Sequence, residues 1–124
     1  MSAESEAFKR RTFVFAVGVG RLLKTFSRME PGPTAQRQLA KSSSSTAANY
    51  RAACRGRSHA EFTAKLGISA EECDETMFWL EYAEAGELTE SPALKPLIAE
   101  CGEILAILSK SVGTARRNER DNRG

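Results

Sequence analysis

The stretch KSSSSTAANYRAACRGRS, Lys41 to Ser58, decides the fold. Four consecutive serines have the composition of a flexible linker, yet they lead straight into the alanine-rich AANYRAACR. Leu39, Ser43, Thr46, Ala47, Tyr50 and Cys54 keep a three-four spacing through and beyond the serines. That is the period of a helix face, and a linker has no reason to carry it. A serine inside a helix costs roughly a few tenths of a kcal/mol in propensity. It can return this by bonding the carbonyl four residues back and by letting a neighbouring backbone approach. The stretch is therefore read as a helix of about residues 34–55, with Ser42 to Ser45 as a close-contact surface.

The neighbouring segments follow from this reading. Gly56, in Arg55-Gly56-Arg57, suits the left-handed position that ends a helix. Ser58-His59-Ala60-Glu61 is a capping-box pattern that opens the next helix at once, over about 59–85. Its core stripe is Phe62, Leu66, Ser69, Cys73, Met77, Leu80 and Glu84, flanked by Ile68, Thr76 and Phe78. Upstream, Phe8, Thr12, Phe15, Val19, Leu22 and Phe26 give a helix over about 6–27. A strand over Thr12 to Val19 is the competing reading, but it leaves Leu22, Leu23 and Phe26 unexplained. The Pro/Gly-rich Met29 to Thr34 is the turn between the first two helices. Downstream, Ser91 is the expected N-cap and Pro92 the first residue of a fourth helix, about 92–115. Leu94, Leu97, Ile98, Cys101, Ile104, Leu105, Leu108 and Val112 form its face. Residues 116–124 read as a flexible basic tail. Four helices with short connections predict an all-α, antiparallel, up-down-up-down four-helix bundle in one domain, 1–124.

The 124 residues suffice for one domain with its own core. Net charge is only +2, but it is polarised. Residues 1–60 hold eleven Lys/Arg against three Asp/Glu, residues 61–110 hold three against eleven, and residues 111–124 hold four against two. Opposite halves can neutralise each other within a subunit or between subunits. If the helices turn at Arg57–Ser58, Lys41 and Arg37 should face Glu72, Asp74 or Glu75, and Arg51 or Arg55 should face Glu61. Lys41 with Glu75 and Arg51 with Glu61 are thus the candidate polar pairs.

The helix two–three block carries a resemblance. Gln38-Leu39-x-Lys41-Ser42-Ser43-x-Ser45-x-x-Ala48-Asn49 is followed by Arg57-Ser58-x-x-Glu61-Phe62-x-x-x-Leu66-x-Ile68, and then by Glu75. This resembles the four helix bundle protein family, also called the 23S rRNA intervening-sequence protein family, over about residues 8–115. The outer helices match in pattern only. The resemblance implies antiparallel bundles that assemble into cyclic homopentamers, some of them encoded within insertions in large-subunit rRNA genes. A related bundle is the accessory protein of diversity-generating retroelements, a basic ring that binds a reverse transcriptase and nucleic acid. The resemblance implies no enzymatic activity. The acidic helix three, with Glu71, Glu72, Asp74 and Glu75, departs from a uniformly basic surface.

Function classes can be narrowed from the residues. The chain has one histidine, His59, expected exposed beside a helix cap. It has three scattered cysteines, Cys54, Cys73 and Cys101, without a CxxC pair. These make no zinc set and read as buried core residues. No Glu-x-x-His motif of the di-metal bundles is present. No catalysis, cofactor or metal is expected. The longest apolar run, Phe13 to Val19, is too short to span a bilayer. MSAESEAFKRR puts its acids before its bases, the wrong order for a secretory signal, so the expected location is cytoplasmic. A nucleic-acid surface is one hypothesis, built from Lys9, Arg10, Arg11, Arg21, Lys24 and Arg28, with Arg51, Arg55 and Arg57 at the hairpin and Arg116 and Arg117 in the tail. The bland alternative for each is a solvated face or a pair with the acidic helix. A structural homo-oligomer is the other hypothesis. Phe78, Trp79 and Tyr82 span more of helix three than one core stripe needs, which places them at a subunit interface or in a two-sided core. The expected partners are further copies of the chain, a pentamer by the resemblance, together with RNA, DNA or a nucleic-acid-processing protein. A purely protein-binding scaffold is the alternative.

Overall fold

The computed structural model describes residues 2–123 and contains four helices: α1 (Ala3–Leu23), α2 (Gly32–Cys54), α3 (His59–Ala85) and α4 (Leu94–Arg123). Each helix packs on its neighbours in the chain, and α1 closes the square against α4. Cross-helix contacts run antiparallel. Phe8 meets Tyr50, while Gln36 Nε2 donates to the Leu23 carbonyl (2.6 Å). On the other side Cys73 meets Cys101, and His59 Nε2 lies 3.0 Å from the Ala115 carbonyl oxygen. This is the bundle expected from sequence, and Thr12 to Val19 is helical.

The serine run is the middle of α2 and part of its packing surface. Ser42 and Ser43 are buried, as are Leu39, Thr46 and Tyr50. Ser43 Oγ donates to the Leu39 carbonyl (2.7 Å), Ser44 Oγ to Ala40 (2.7 Å) and Thr46 Oγ1 to Ser42 (2.8 Å). The hydroxyls of Ser43 and Thr46 therefore carry their own acceptors into the core, which offsets the cost of burying them. Ser44 is exposed and Ser45 half-buried, so only Ser42 and Ser43 of the run are fully part of the expected close-contact surface. Two further hydroxyls stitch α3 to this surface. Ser69 Oγ donates to the Thr46 carbonyl across the interface (2.7 Å). Thr76 shares its hydroxyl between Ser42 Oγ (2.9 Å) and the Glu72 carbonyl (2.8 Å). A Leu or Phe at Ser42, Ser69 or Thr76 would hold the two backbones too far apart for these bonds. The apolar core lies on the inner side of the seam, with Val19, Leu39, Leu66, Leu80, Ile104 and Leu108 fully buried.

Several sequence expectations need correction. Gly56 is not left-handed, since no glycine among the described residues has positive φ. It is needed for space instead: a Cβ there would lie 3.1 Å from both the Ala53 carbonyl oxygen and the Phe62 amide nitrogen. The left-handed residue is Glu87 (φ 55°), past the end of α3. There the amide of Glu87 bonds the Glu84 carbonyl and that of Leu88 bonds Ala83, a Schellman-type close with Leu88 buried. Glu84, expected in the core stripe, is exposed because α3 ends one residue later, and Ala83 is buried in its place. Helix α2 begins two residues early, at Gly32, where a Cβ would overlap the Ser27 carbonyl oxygen. Helix α4 begins two residues late. Ser91 Oγ accepts from Ala93 in the turn before it. The helix then continues to Arg123, so residues 116–123 of the expected tail are helical, and Gly124 lies outside the described residues. Cys73 and Cys101 are buried as expected, their sulfurs 3.9 Å apart, whereas Cys54 is half-buried. Contact with Cys73, together with burial, pushes the Cys101 thiol well above its ordinary pKa.

The expected polar pairs do not form. Ion pairs within 4 Å join Lys9 to Glu6, and Arg11 to Glu100 and Glu103. Neither Lys41–Glu75 nor Arg51–Glu61 is among them. All four of those residues are exposed, and long charged side chains gain little by giving up water for one another. Lys41 does reach Glu72 electrostatically. Oε2 of Glu72 is buried and, among the described residues, lacks a hydrogen-bond partner. Burial pushes this carboxyl above the usual carboxylate range, Glu75 and Glu71 push the same way, and Lys41 opposes them. A raised folded-state pKa stabilises the fold only at low pH and is lost as pH rises through it. Charged Glu72 is therefore a net cost at neutral pH.

Two substitutions test the seam and this carboxyl. Ser42→Leu should overpack the α2–α3 contact and cost about 1–3 kcal/mol or more in urea unfolding, against about 1 kcal/mol for Thr76→Val, which loses a bond but keeps its shape. Equal small losses would mean the helices are not held at close range. Glu72→Gln should raise the melting temperature at neutral pH. The gain should shrink as the pH falls and the carboxyl takes up its proton. A gain that persists in acid would assign the effect to something other than charge.

Candidate interaction surfaces

The basic residues singled out from sequence divide by position. Arg11 projects between α1 and α4, where Nε and Nη2 bond the two carboxylate oxygens of Glu100 at 2.8 and 2.6 Å, and Nη2 also reaches Glu103 at 3.0 Å. This bidentate fork holds Glu100 below the usual carboxylate range and raises Arg11 still further. Arg11 is thus committed to fastening α1 to α4. Glu100 and Glu103, three apart on α4, were the sequence signal for it, and the reading that treated Arg11 as one of a row of phosphate ligands missed it. Lys9 is tied to Glu6 at 3.2 Å. Arg116 lies on α4 with its guanidinium where a Cβ at Gly67 of α3 would meet it at 3.4 Å, and Arg117 reaches Thr114.

The others are exposed and, among the described residues, make no ion pair within 4 Å. Arg10, Arg21, Lys24 and Arg28 lie along α1 and the turn after it, and Arg51, Arg55 and Arg57 lie at the α2–α3 turn. Arg10 and Arg51, with the Lys9–Glu6 pair, line one end of a groove between α1 and α2, of about 530 Å³. The groove is lined by Phe13, Ala16 and Val17 of α1 and by Ser44, Ala47 and Ala48 of α2. Phe13 is 56 % exposed. Phe13 and Val17 lie outside the core stripe of α1, and the packing of α1 on α2 shows that they share a trough with the alanines.

The aromatic residues of α3 form one cluster. Phe78 and Trp79 stack edge-on with ring centres 5.0 Å apart, Trp79 and Tyr82 at 5.1 Å, and Phe78 and Tyr82 at 6.1 Å. Their environments differ. Trp79 is half-buried and packs on the core, while Phe78 is 55 % and Tyr82 37 % exposed. Phe78 and Tyr82 belong to an outward stripe with Ala64, Ile68, Glu71 and Glu75, spaced four and three apart and all exposed. Such an apolar element on the outside of a bundle helix is a feature of interaction surfaces.

No catalytic constellation emerges around the titratable groups. His59 is exposed and meets a backbone carbonyl, and the described residues hold no cluster of three His, Cys, Asp or Glu side chains placed to bind a metal. No described helix is long and apolar enough to cross a membrane.

The chain resembles a crystallised protein of unknown function from the S23 ribosomal protein family of Bacteroides thetaiotaomicron, with 27 % identity and a TM-score of 0.78 over 88 % of this chain and 97 % of that one. No curated protein matches. The profile of the 23S rRNA-intervening sequence proteins matches residues 5–110, most of the bundle, and with the helix order and the α2–α3 block this places the chain in the 23S rRNA-intervening sequence protein family.

Proposed function

We propose that this protein is a non-enzymatic, cytoplasmic accessory scaffold. It assembles with copies of itself into a ring, and it presents basic residues to a nucleic-acid or ribonucleoprotein partner. The observation that carries the nucleic-acid part is the exposed basic edge formed by Arg21, Lys24 and Arg28 at the end of α1 and the turn after it. These three make no ion pair within 4 Å among the described residues. Charges left unpaired in a bundle that pairs Arg11 twice are available to phosphate oxygens, and contacts of that kind act through counterion release. The acidic outer face of α3 favours a second reading, a protein-only scaffold, since it would repel a phosphate backbone laid across it.

Binding of a fluorescent single-stranded RNA, followed by anisotropy over a salt series, tests the first reading. Affinity should fall steeply with salt, and the triple variant Arg21→Gln, Lys24→Gln, Arg28→Gln should flatten the log–log slope by about 2, at about 0.7 per lost phosphate contact. Arg11→Gln should leave the slope alone and lower the melting temperature instead. Absence of binding at low salt, or a slope indifferent to the triple variant, would favour the protein-only scaffold.

A further inference from the structure

The groove between α1 and α2 and the outward stripe of α3 have complementary chemistry. The groove has an apolar floor, Phe13, Ala16 and Val17 against Ala47 and Ala48, with Arg10 and Arg51 at one end. The stripe has an apolar part, Phe78 with Tyr82, and two carboxylates, Glu75 and Glu71, one and two turns towards the N-terminus. Both are exposed, and they lie on different sides of the bundle, one on the α1–α2 pair and the other on the outside of α3. A single copy therefore cannot bring them together.

We infer that the α3 stripe of one copy docks into the α1–α2 groove of the next, with Phe78 and Tyr82 over the apolar floor and Glu71 and Glu75 against Arg10 and Arg51. This rests on the homo-oligomeric reading above and specifies its contact. The occupant is a second copy because the chain itself carries both the matching shape class and the opposite charge. The groove end is basic on balance, since Glu6 there is paired with Lys9 and leaves Arg10 and Arg51 without an ion pair among the described residues. The charged residues of the stripe are acidic, so like surfaces repel and unlike surfaces attract. A contact between two different patches is heterologous, and its repetition either closes a ring or grows a filament. It also leaves Arg21, Lys24 and Arg28, at the far end of α1, outside the contact.

The test is mass by sedimentation velocity on the full chain, with circular dichroism confirming that helicity is unchanged. Phe13→Glu damages only the groove and Phe78→Glu only the stripe. Both residues are more than half exposed, so the fold should tolerate the change. The wild type should be an oligomer and each variant a monomer. An equimolar mixture of the two variants should give a species of two chains, because one still owns a stripe and the other a groove. Arg51→Glu, which spares the apolar floor, should also dissociate the oligomer, and Glu75→Arg added to it should restore assembly in part. A wild-type oligomer unaffected by Phe13→Glu and Phe78→Glu would overturn this contact and leave the homo-oligomer standing. Variants that dissociate but never combine would overturn the pairing of the two faces. A wild-type monomer at every concentration would remove the homo-oligomeric reading and the contact together.

Discussion

The bundle depends on how closely α2 can approach α3. Small side chains set that distance, and buried hydroxyls hold it: Ser69 bonds the Thr46 carbonyl and Thr76 meets Ser42 across the interface. Close backbones leave no room for the large side chains that fill most bundle cores. The apolar burial is therefore pushed to the inner side of the seam, where Leu39, Leu66 and Leu80 meet Ile104 and Leu108 from α4. Hydroxyls bonded within their own helix can be buried cheaply, because each brings its acceptor with it. Ser43 is buried in this way, Ser42 meets Thr76 and Ser44 faces outward, so four serines in a row are compatible with the middle of a packed helix.

The charge pattern follows a different rule. The polarised sequence invites the expectation that basic α2 and acidic α3 neutralise each other along their seam. No ion pair within 4 Å crosses that seam among the described residues, where Lys41 acts on Glu72 only at longer range, and a well-formed ion cluster fastens α1 to α4 instead, through Arg11, Glu100 and Glu103. Of the four helix contacts α1–α4 is the sparsest, so a bidentate fork has most to add there. The acids of α3 and the bases of α1 and α2 are left facing outward on different sides of the molecule. A polarity that is not cancelled inside the subunit is available between subunits or to a polyanion.

What could be read from sequence was what is periodic. The three-four spacing of Phe15, Val19 and Leu22, or of Ile104, Leu108 and Val112, states which face is buried, and Ser58 states where α3 begins because its side chain accepts the Glu61 amide. What is set by close approach was not legible. Gly56 looked like a handedness device and is a clearance device. Glu87, not a glycine, takes the left-handed turn, because the bonds to Ala83 and Glu84 and the burial of Leu88 fix the chain there. The end of α4 was missed because Arg116 to Arg123 has no apolar stripe. Buried Ala115, whose carbonyl oxygen lies 3.0 Å from His59 Nε2, shows that the helix still rests on α3 where that stretch begins. Among the surfaces, the surplus aromatics of α3 were visible one by one. The trough that Phe13 and Val17 form with Ala47 and Ala48 required two helices in register.

The central claim is that the serine run is the most constrained part of the molecule. Amide hydrogen exchange resolved along the chain tests it most directly. If the hydroxyl seam holds α2 to α3, the amides of residues 42–50 and 66–76 should exchange only through global unfolding, at the slowest rates in the protein. Rapid exchange through residues 42–46, with protection confined to α1 and α4, would contradict the account and return the serines to the linker their composition first suggests.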